Sequence, residues 1–175
     1  KTIEAGLILS ELLLRRRIQR VLILTPASLR VQWRDEMWER FSLRFDLIDR
    51  GETYSLRKQL GMDVNPWRSS NRIIASYHYL RQDEVLEQFC AASRQTEGTP
   101  RFPWDLLIVD ECHLVNSRGG TYESLLTELG VPVVGCTATP YRMRSWADHR
   151  TGEPVAQSQI LTRTRPRVFG SICHA

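Results

Sequence analysis

Lysine is almost missing from this 175-residue sequence: of 24 basic residues only Lys1 and Lys58 are lysine. Cysteine is sparse too. Cys90, Cys112, Cys136 and Cys173 include no CxxC pair, so neither a zinc site nor a dithiol redox motif is indicated. With no secretory signal they read as reduced cytosolic thiols. Long apolar runs are absent. The stretch Ala5 to Leu14 is interrupted by Ser10 and Glu11, too short and too broken to span a bilayer. Arg15 to Arg17 follow that stretch rather than precede it, and no small-residue cleavage site appears, which argues against a signal peptide. A cytoplasmic chain with no membrane partner is expected. The body also lacks an excess of charge of one sign. The net charge is +4, and residues 141 to 175, with six Arg against Asp148 and Glu153, carry all of it. The pI of 9.1 therefore describes the tail and is no argument for a nucleic-acid-binding body.

What remains is an ordinary soluble composition, 42% hydrophobic and 25% charged, at the length of one domain. It excludes collagen, a disulfide mini-protein and a chain disordered throughout. Short apolar runs alternate with amphipathic stretches. Residues 3 to 17 read as a helix with Ile3, Leu7, Leu14 and Ile18 on one face. Arg20 to Thr25, ended by Pro26, is a buried strand. Ala27 to Phe41 is a helix in which Leu29, Trp33, Met37 and Phe41 repeat every four residues and Glu36 pairs with Arg40. Arg44 to Asp49 is a further strand, residues 50 to 70 are irregular, and Arg72 to Ser76 is a strand leading into a helix over Tyr77 to Ala91. Leu106 to Val109 is a strand, Thr121 to Leu129 a helix stopped by Gly130, and Val131 to Cys136 the last strand. This alternation predicts an α/β fold, a parallel sheet with helices on both faces. Residues 145 to 175 show no sustained period and few large apolar residues, so they are expected to be disordered and to stay off the sheet.

In open parallel sheets, ligands bind at the carboxyl ends of the strands. The notable polar groups fall there: Thr25-Pro26, Ser76, Asp110-Glu111 and Thr137-Ala138-Thr139. The strongest signal is Leu106-Leu107-Ile108-Val109-Asp110-Glu111-Cys112-His113. A buried strand that delivers two adjacent carboxylates is costly unless a cation sits there. Asp110 is the candidate ligand for Mg²⁺, and Glu111 the candidate to activate the water that attacks a γ-phosphate; the plainer alternative is that the pair caps the next turn. Read with that pair, Lys1-Thr2 before a helix matches the end of a Walker A loop. Lys1 would neutralise the β- and γ-phosphates, Thr2 would join Asp110 on the metal, and the following helix would offer its N-terminus to phosphate. Trp33, Met37 and Trp38 read as core rather than as a base-stacking platform, and Cys112 as a small buried filler.

The segments KTIEAGLILSELL, VLILTPASLRVQWRDEM, IIASYHYLR, LLIVDECHLV and VVGCTATP, in this order, resemble the first motor lobe of superfamily-2 helicases. Among these they look most like the Swi/Snf-like ATPases, in particular the bacterial branch that includes the RNA-polymerase-recycling ATPase. The resemblance covers roughly residues 1 to 142. It implies a RecA-like P-loop NTPase lobe that uses ATP and Mg²⁺. Lys1 and Thr2 match the end of motif I, Thr25-Pro26 motif Ia, and Ser76-Tyr77 motif Ib. Asp110-Glu111-Cys112-His113 match motif II, with Cys112 where Ala is commoner, and Thr137-Ala138-Thr139 match motif III. Motifs Ia and Ib would touch the nucleic-acid backbone and motif III would couple nucleotide state to that grip. His113 would link motif II to motif III through a ring nitrogen, or else cap the local backbone. The partner implied is duplex DNA, with RNA or RNA polymerase as alternatives in a parent protein. The glycine loop and the strand before Lys1 are not in the sequence, nor is the second lobe that supplies the arginine finger in this family. The expectation is therefore a fragment: a helicase ATP-binding domain over 1–144, then a tail over 145–175, inactive alone and an ATP hydrolase as part of its parent. The other readings are an inert truncated binding module, or a lobe of a translocating restriction or phage-defence helicase.

Overall fold

The computed structural model describes residues 1–93, 104–111, 132–137, 141–147, 154–160 and 171–174. Helix α1 covers Thr2–Leu14 and strand β1 Val21–Thr25; a short 3-10 turn, Ala27–Leu29, leads into α2, Arg30–Phe41. Then come β2 (Asp46–Ile48), α3 (Arg50–Leu60), β3 (Arg72–Ser76), α4 (Tyr77–Leu80) and α5 (Asp83–Ser93). Strands β4 (Leu106–Asp110), β5 (Val133–Thr137), β6 (Tyr141–Ala147), β7 (Pro154–Ile160) and β8 (Ser171–His174) complete the order. The helix expected over Thr121 to Leu129 lies outside the described residues.

Six strands form one sheet in the order β2-β3-β1-β4-β5-β8, and every neighbouring pair is parallel. All five residues of β1 are buried, because a central parallel strand is covered on both faces. Alternate side chains go to opposite layers. Val21 and Ile23 join Ala5, Leu9, Trp33 and Met37 under α1 and α2. Leu22 and Leu24 join Leu80, Val85 and Phe89 under α4 and α5. Each such Leu, Ile or Phe is worth roughly 1.5–3 kcal/mol when fully buried. The expected α/β sheet with helices on both faces is what these residues build.

Four differences from the sequence reading have physical causes. Helix α1 turns another face inward: Ile3, Leu7 and Leu14 are exposed, and Ala5, Gly6 and Leu9 are buried. The reason is close approach. A Cβ on Gly6 would stand 2.1 Å from Phe41 Cε2, so small residues must face α2 whatever the larger residues prefer. Trp38, read as core, is exposed, with the Arg44 guanidinium over its ring at 4.8 Å. Residues 50–60, read as irregular, are α3. Asp49 caps it by accepting the Glu52 N–H at 2.9 Å, and Gly61 at φ 110 ends it, a backbone region open to glycine.

The fourth difference is the tail. Expected to stay off the sheet, it instead pairs Ser171–His174 with β5, from Val134↔Ser171 to Thr137↔His174. Tyr141–Ala147 and Pro154–Ile160 pair antiparallel as a second, two-stranded sheet. Side-chain apolarity is the wrong measure there. A strand edge offers a row of main-chain donors and acceptors that a short segment can satisfy with any side chains.

Gly6→Ala is expected to lose about 1–3 kcal/mol through overpacking, although alanine is the better helix former by about 1 kcal/mol. Phe41→Leu in the same chain should recover part of that loss, as read by urea melts. Burial would raise the Asp49 pKa, but the Glu52 N–H and the Arg30 guanidinium outweigh it and hold the carboxyl below its ordinary value. A depressed pKa stabilises the fold above the unfolded value, about 3.9, and that contribution fades as pH falls through the folded one. The native chain should therefore be more stable than Asp49→Asn at pH 7, by up to about 1 kcal/mol. An advantage undiminished at pH 3 would contradict this.

Candidate functional site

Strands β1, β3, β4 and β5 end at Thr25, Ser76, Asp110 and Thr137. Because all run the same way, these residues share the carboxyl edge of the sheet. Thr25 lies opposite Ser76 and Asp110 opposite Cys136. The edge inferred from the strand endings is therefore the edge observed.

Asp110 is the centre of the arrangement. It is 1% exposed. Its Oδ2 accepts the Thr25 hydroxyl at 3.0 Å and the Trp33 indole N–H at 3.0 Å. Its Oδ1 accepts the Glu111 backbone N–H at 2.9 Å and faces the Lys1 ammonium at 3.8 Å. A carboxylate buried to this degree is tolerable only with donors on both oxygens. Glu111 itself has φ 50, the left-handed region that costs a non-glycine residue roughly 1–2 kcal/mol. That turn breaks the strand direction immediately after Asp110 and sends the Glu111 carboxylate to Lys1, with which it forms an ion pair.

Lys1 caps the N-terminal side of α1, and its carbonyl accepts the Ala5 N–H at 2.9 Å. Burial would lower the lysine pKa, but the hydrogen bond to Glu111 and the charges of Asp110 and Glu111 more than offset it, so the pKa is raised. Thr2 opens α1. Tyr77 is buried beside the same charges: desolvation first, then Asp110 and Glu111, push its phenol up.

The remaining expected residues divide three ways. Thr25 and Ser76 are 0% and 3% exposed, and both hydroxyls bind within the protein, Ser76 by accepting the Tyr79 N–H at 3.0 Å. The Thr25 hydroxyl serves Asp110. Pro26 starts the 3-10 turn, its carbonyl accepting the Leu29 N–H at 3.0 Å. Cys112, His113, Ala138 and Thr139 lie outside the described residues, and Thr137 is placed by its backbone as the end of β5.

Two features escape the sequence reading. One is the Trp33 hydrogen bond, although a buried indole N–H usually finds a partner and that rule is the available signal. The other is a groove of about 520 Å³ beside Ser76, lined by Arg30, Asp49, Arg50, His78 and Gln82 among others. Arg30 also donates to Asp49 Oδ2 at 3.0 Å; the Asp49-x-x-Glu52 spacing marks that helix start.

The donor set suits a hard divalent cation. A buried carboxylate and a threonine at a helix start offer oxygens, with lysine beside them for phosphate. Among the described residues no group of three or more His, Cys, Asp or Glu forms a metal cage.

Residues 1–142 match the family model described as "Type III restriction enzyme, res subunit". The RNA polymerase-associated protein RapA of Yersinia enterocolitica serotype O:8 / biotype 1B is 42% identical over 114 residues, 65% of this chain and 10% of that protein. A solved structure, the Sulfolobus solfataricus SWI2/SNF2 ATPase core in complex with dsDNA, aligns over 80% of this chain and 25% of its own at a TM-score of 0.56 and 17% identity. At that identity the likeness establishes the RecA-like fold. The chain spans 10% of the first protein and 25% of the second. It belongs to the family described as "Type III restriction enzyme, res subunit".

Proposed function

We propose that residues 1–144 form the first motor lobe of an ATP-driven translocase on duplex DNA. The observation that carries this reading is the Lys1–Asp110–Glu111 constellation at the carboxyl edge. Two carboxylates from one strand end meet a lysine from a helix start more than a hundred residues away. Lys1 would leave Glu111 for the β- and γ-phosphates of ATP, which carry more charge. Thr2 and Asp110 would hold Mg²⁺, and that ion would supply charge neutralisation on the phosphates. Freed of Lys1, Glu111 would accept the proton of the attacking water. His113 would complete motif II next to it.

The coupling residues form a second layer of the same proposal. Pro26, Ser76 and Tyr77 flank the strand ends, and Arg30, Arg50 and His78 give the adjoining groove donors for a phosphate backbone. Contacts of that kind position a motor without reading sequence, as a translocase requires. Thr25 would transmit rather than touch, since its hydroxyl joins the DNA side of the edge to Asp110. Thr137, Ala138 and Thr139, matching motif III, would couple nucleotide state to that grip. The matched family description also supports a second reading, the motor of a translocating restriction enzyme; the same lobe chemistry serves both. RNA polymerase as a partner rests on RapA's name alone. Among the described residues no helix is long and apolar enough to cross a membrane.

Binding of a fluorescent ATP analogue with Mg²⁺ tests the site directly. Lys1→Ala should weaken that binding about tenfold or more, the scale of a charge-assisted hydrogen-bond loss. In the chain joined to its second lobe, Glu111→Gln should keep nucleotide binding and slow phosphate release on the order of a hundredfold or more. Near-native turnover by Glu111→Gln would remove Glu111 from the role of base.

A further inference from the structure

Helix α2 is held to the sheet by its buried face: Met37 is 0% and Trp33 3% exposed, both in the cluster with Val21, Ile23 and Ile108. For that packing alone, any large apolar side chain would serve at position 33. The indole does something a hydrocarbon cannot. Its N–H reaches Asp110 Oδ2 at 3.0 Å, in the protein interior. The other buried tryptophans behave differently. Trp104 donates to Ser93 Oγ at 3.1 Å, and Trp67 Nε1 has no hydrogen-bond partner among the described residues. A partner for the indole is thus not automatic here, and among these three Trp33 is the one whose N–H meets a carboxylate.

The consequence lies in how the carboxylate is shared out. Oδ2 takes two donors, Thr25 from β1 and Trp33 from α2. Oδ1 takes one, the Glu111 N–H, and turns toward Lys1. Three hydrogen bonds from three directions fix the carboxylate plane and leave Oδ1 as the oxygen presented to the nucleotide side. We propose that Trp33 is a positioning residue for Asp110, its indole N–H locking the carboxylate in the orientation that receives Mg²⁺ and tying α2 to the nucleotide site. The inference rests on the reading of Asp110 as a metal ligand. It adds a mechanical link. Trp33 lies within one turn of Arg30, which opens α2 and lines the groove beside Ser76. A shift of that end of α2 is therefore felt at Asp110 through one hydrogen bond. Partners of this kind orient metal ligands, and their loss typically lowers metal affinity about 10–100-fold.

The test replaces the Trp33 indole by benzothiophene, which keeps the ring shape and lacks the N–H, with Trp33→Phe as the ordinary genetic counterpart. Mg²⁺ alone is titrated into each chain and the Glu111 backbone amide is followed by NMR. Removal of the N–H should raise the Mg²⁺ midpoint about tenfold or more, with the melting temperature lowered by only several degrees, so that the chain stays folded at the temperature of the titration. In the native chain the Trp33 indole proton should exchange slowly with solvent, and Asp110→Asn should shift its resonance. Equal Mg²⁺ midpoints with and without the N–H, or a fast-exchanging Trp33 indole in the native chain, overturn the role of Trp33 while leaving Asp110 as ligand intact. No response of Glu111 to Mg²⁺ in the native chain overturns both.

Discussion

One buried carboxylate organises this molecule. Asp110 is 1% exposed at the end of a strand whose other residues are wholly apolar, and an ion in such a place costs several kcal/mol unless its oxygens are occupied. The surrounding structure supplies the occupants. Strand β1 brings Thr25, α2 brings Trp33, the left-handed turn brings the Glu111 N–H, and α1 brings Lys1. Each element must be in register for its donor to arrive. The parallel pairing of β1 with β4 places Thr25 beside Asp110, and a one-residue slip would turn that hydroxyl to the opposite face.

The cost has a functional counterpart. Glu111 at φ 50 is unfavourable as plain architecture, since strained backbone lowers stability, and its carboxylate is held in an ion pair with Lys1. Both make sense where charge is to be exchanged. A lysine held by two carboxylates stays protonated and aimed at one point, and a polyphosphate arriving there offers it a stronger partner. In the proposed site the same arrival would take Lys1 away from the Glu111 carboxylate. Within the proposed ATPase site the ion pair would act as a placeholder for ligand charge.

How much of this is legible in the sequence differs by element. Buried parallel strands announce themselves, because VLILT and LLIVD have no polar residue until the end that carries the chemistry. Their carboxyl edge follows from direction alone, so the strand endings suffice to group Thr25, Ser76, Asp110 and Thr137. Helix faces are less legible. Ile3, Leu7 and Leu14 outscore Ala5 and Gly6 in apolarity, yet the contact of Gly6 with Phe41 decides the face, and steric fit between helices leaves no periodic trace. Helix α3 escapes a pattern reading because its interior is polar; only Asp49 and Glu52 signal its start. Trp33 is core, as its spacing implies, but a side chain can be core and polar partner at once, and which acceptor it meets depends on a strand 77 residues away. Ser171–His174 joins the sheet through main-chain pairing, to which side-chain pattern is blind.

The central claim is that Asp110 and the start of α1 hold the metal of a bound nucleotide. Paramagnetic broadening tests it most directly. Mn²⁺ with a non-hydrolysable ATP analogue is added to the isotope-labelled chain, and the loss of amide signal is mapped. The account predicts that Thr2, Thr25, Asp110 and Glu111 broaden first, together with the Trp33 indole. Val21, Arg72 and Leu106 lie four residues down their strands, roughly 13 Å further from the edge at about 3.3 Å per residue, and should broaden only at higher Mn²⁺ occupancy. Broadening centred anywhere other than Asp110, or none at all, would contradict it.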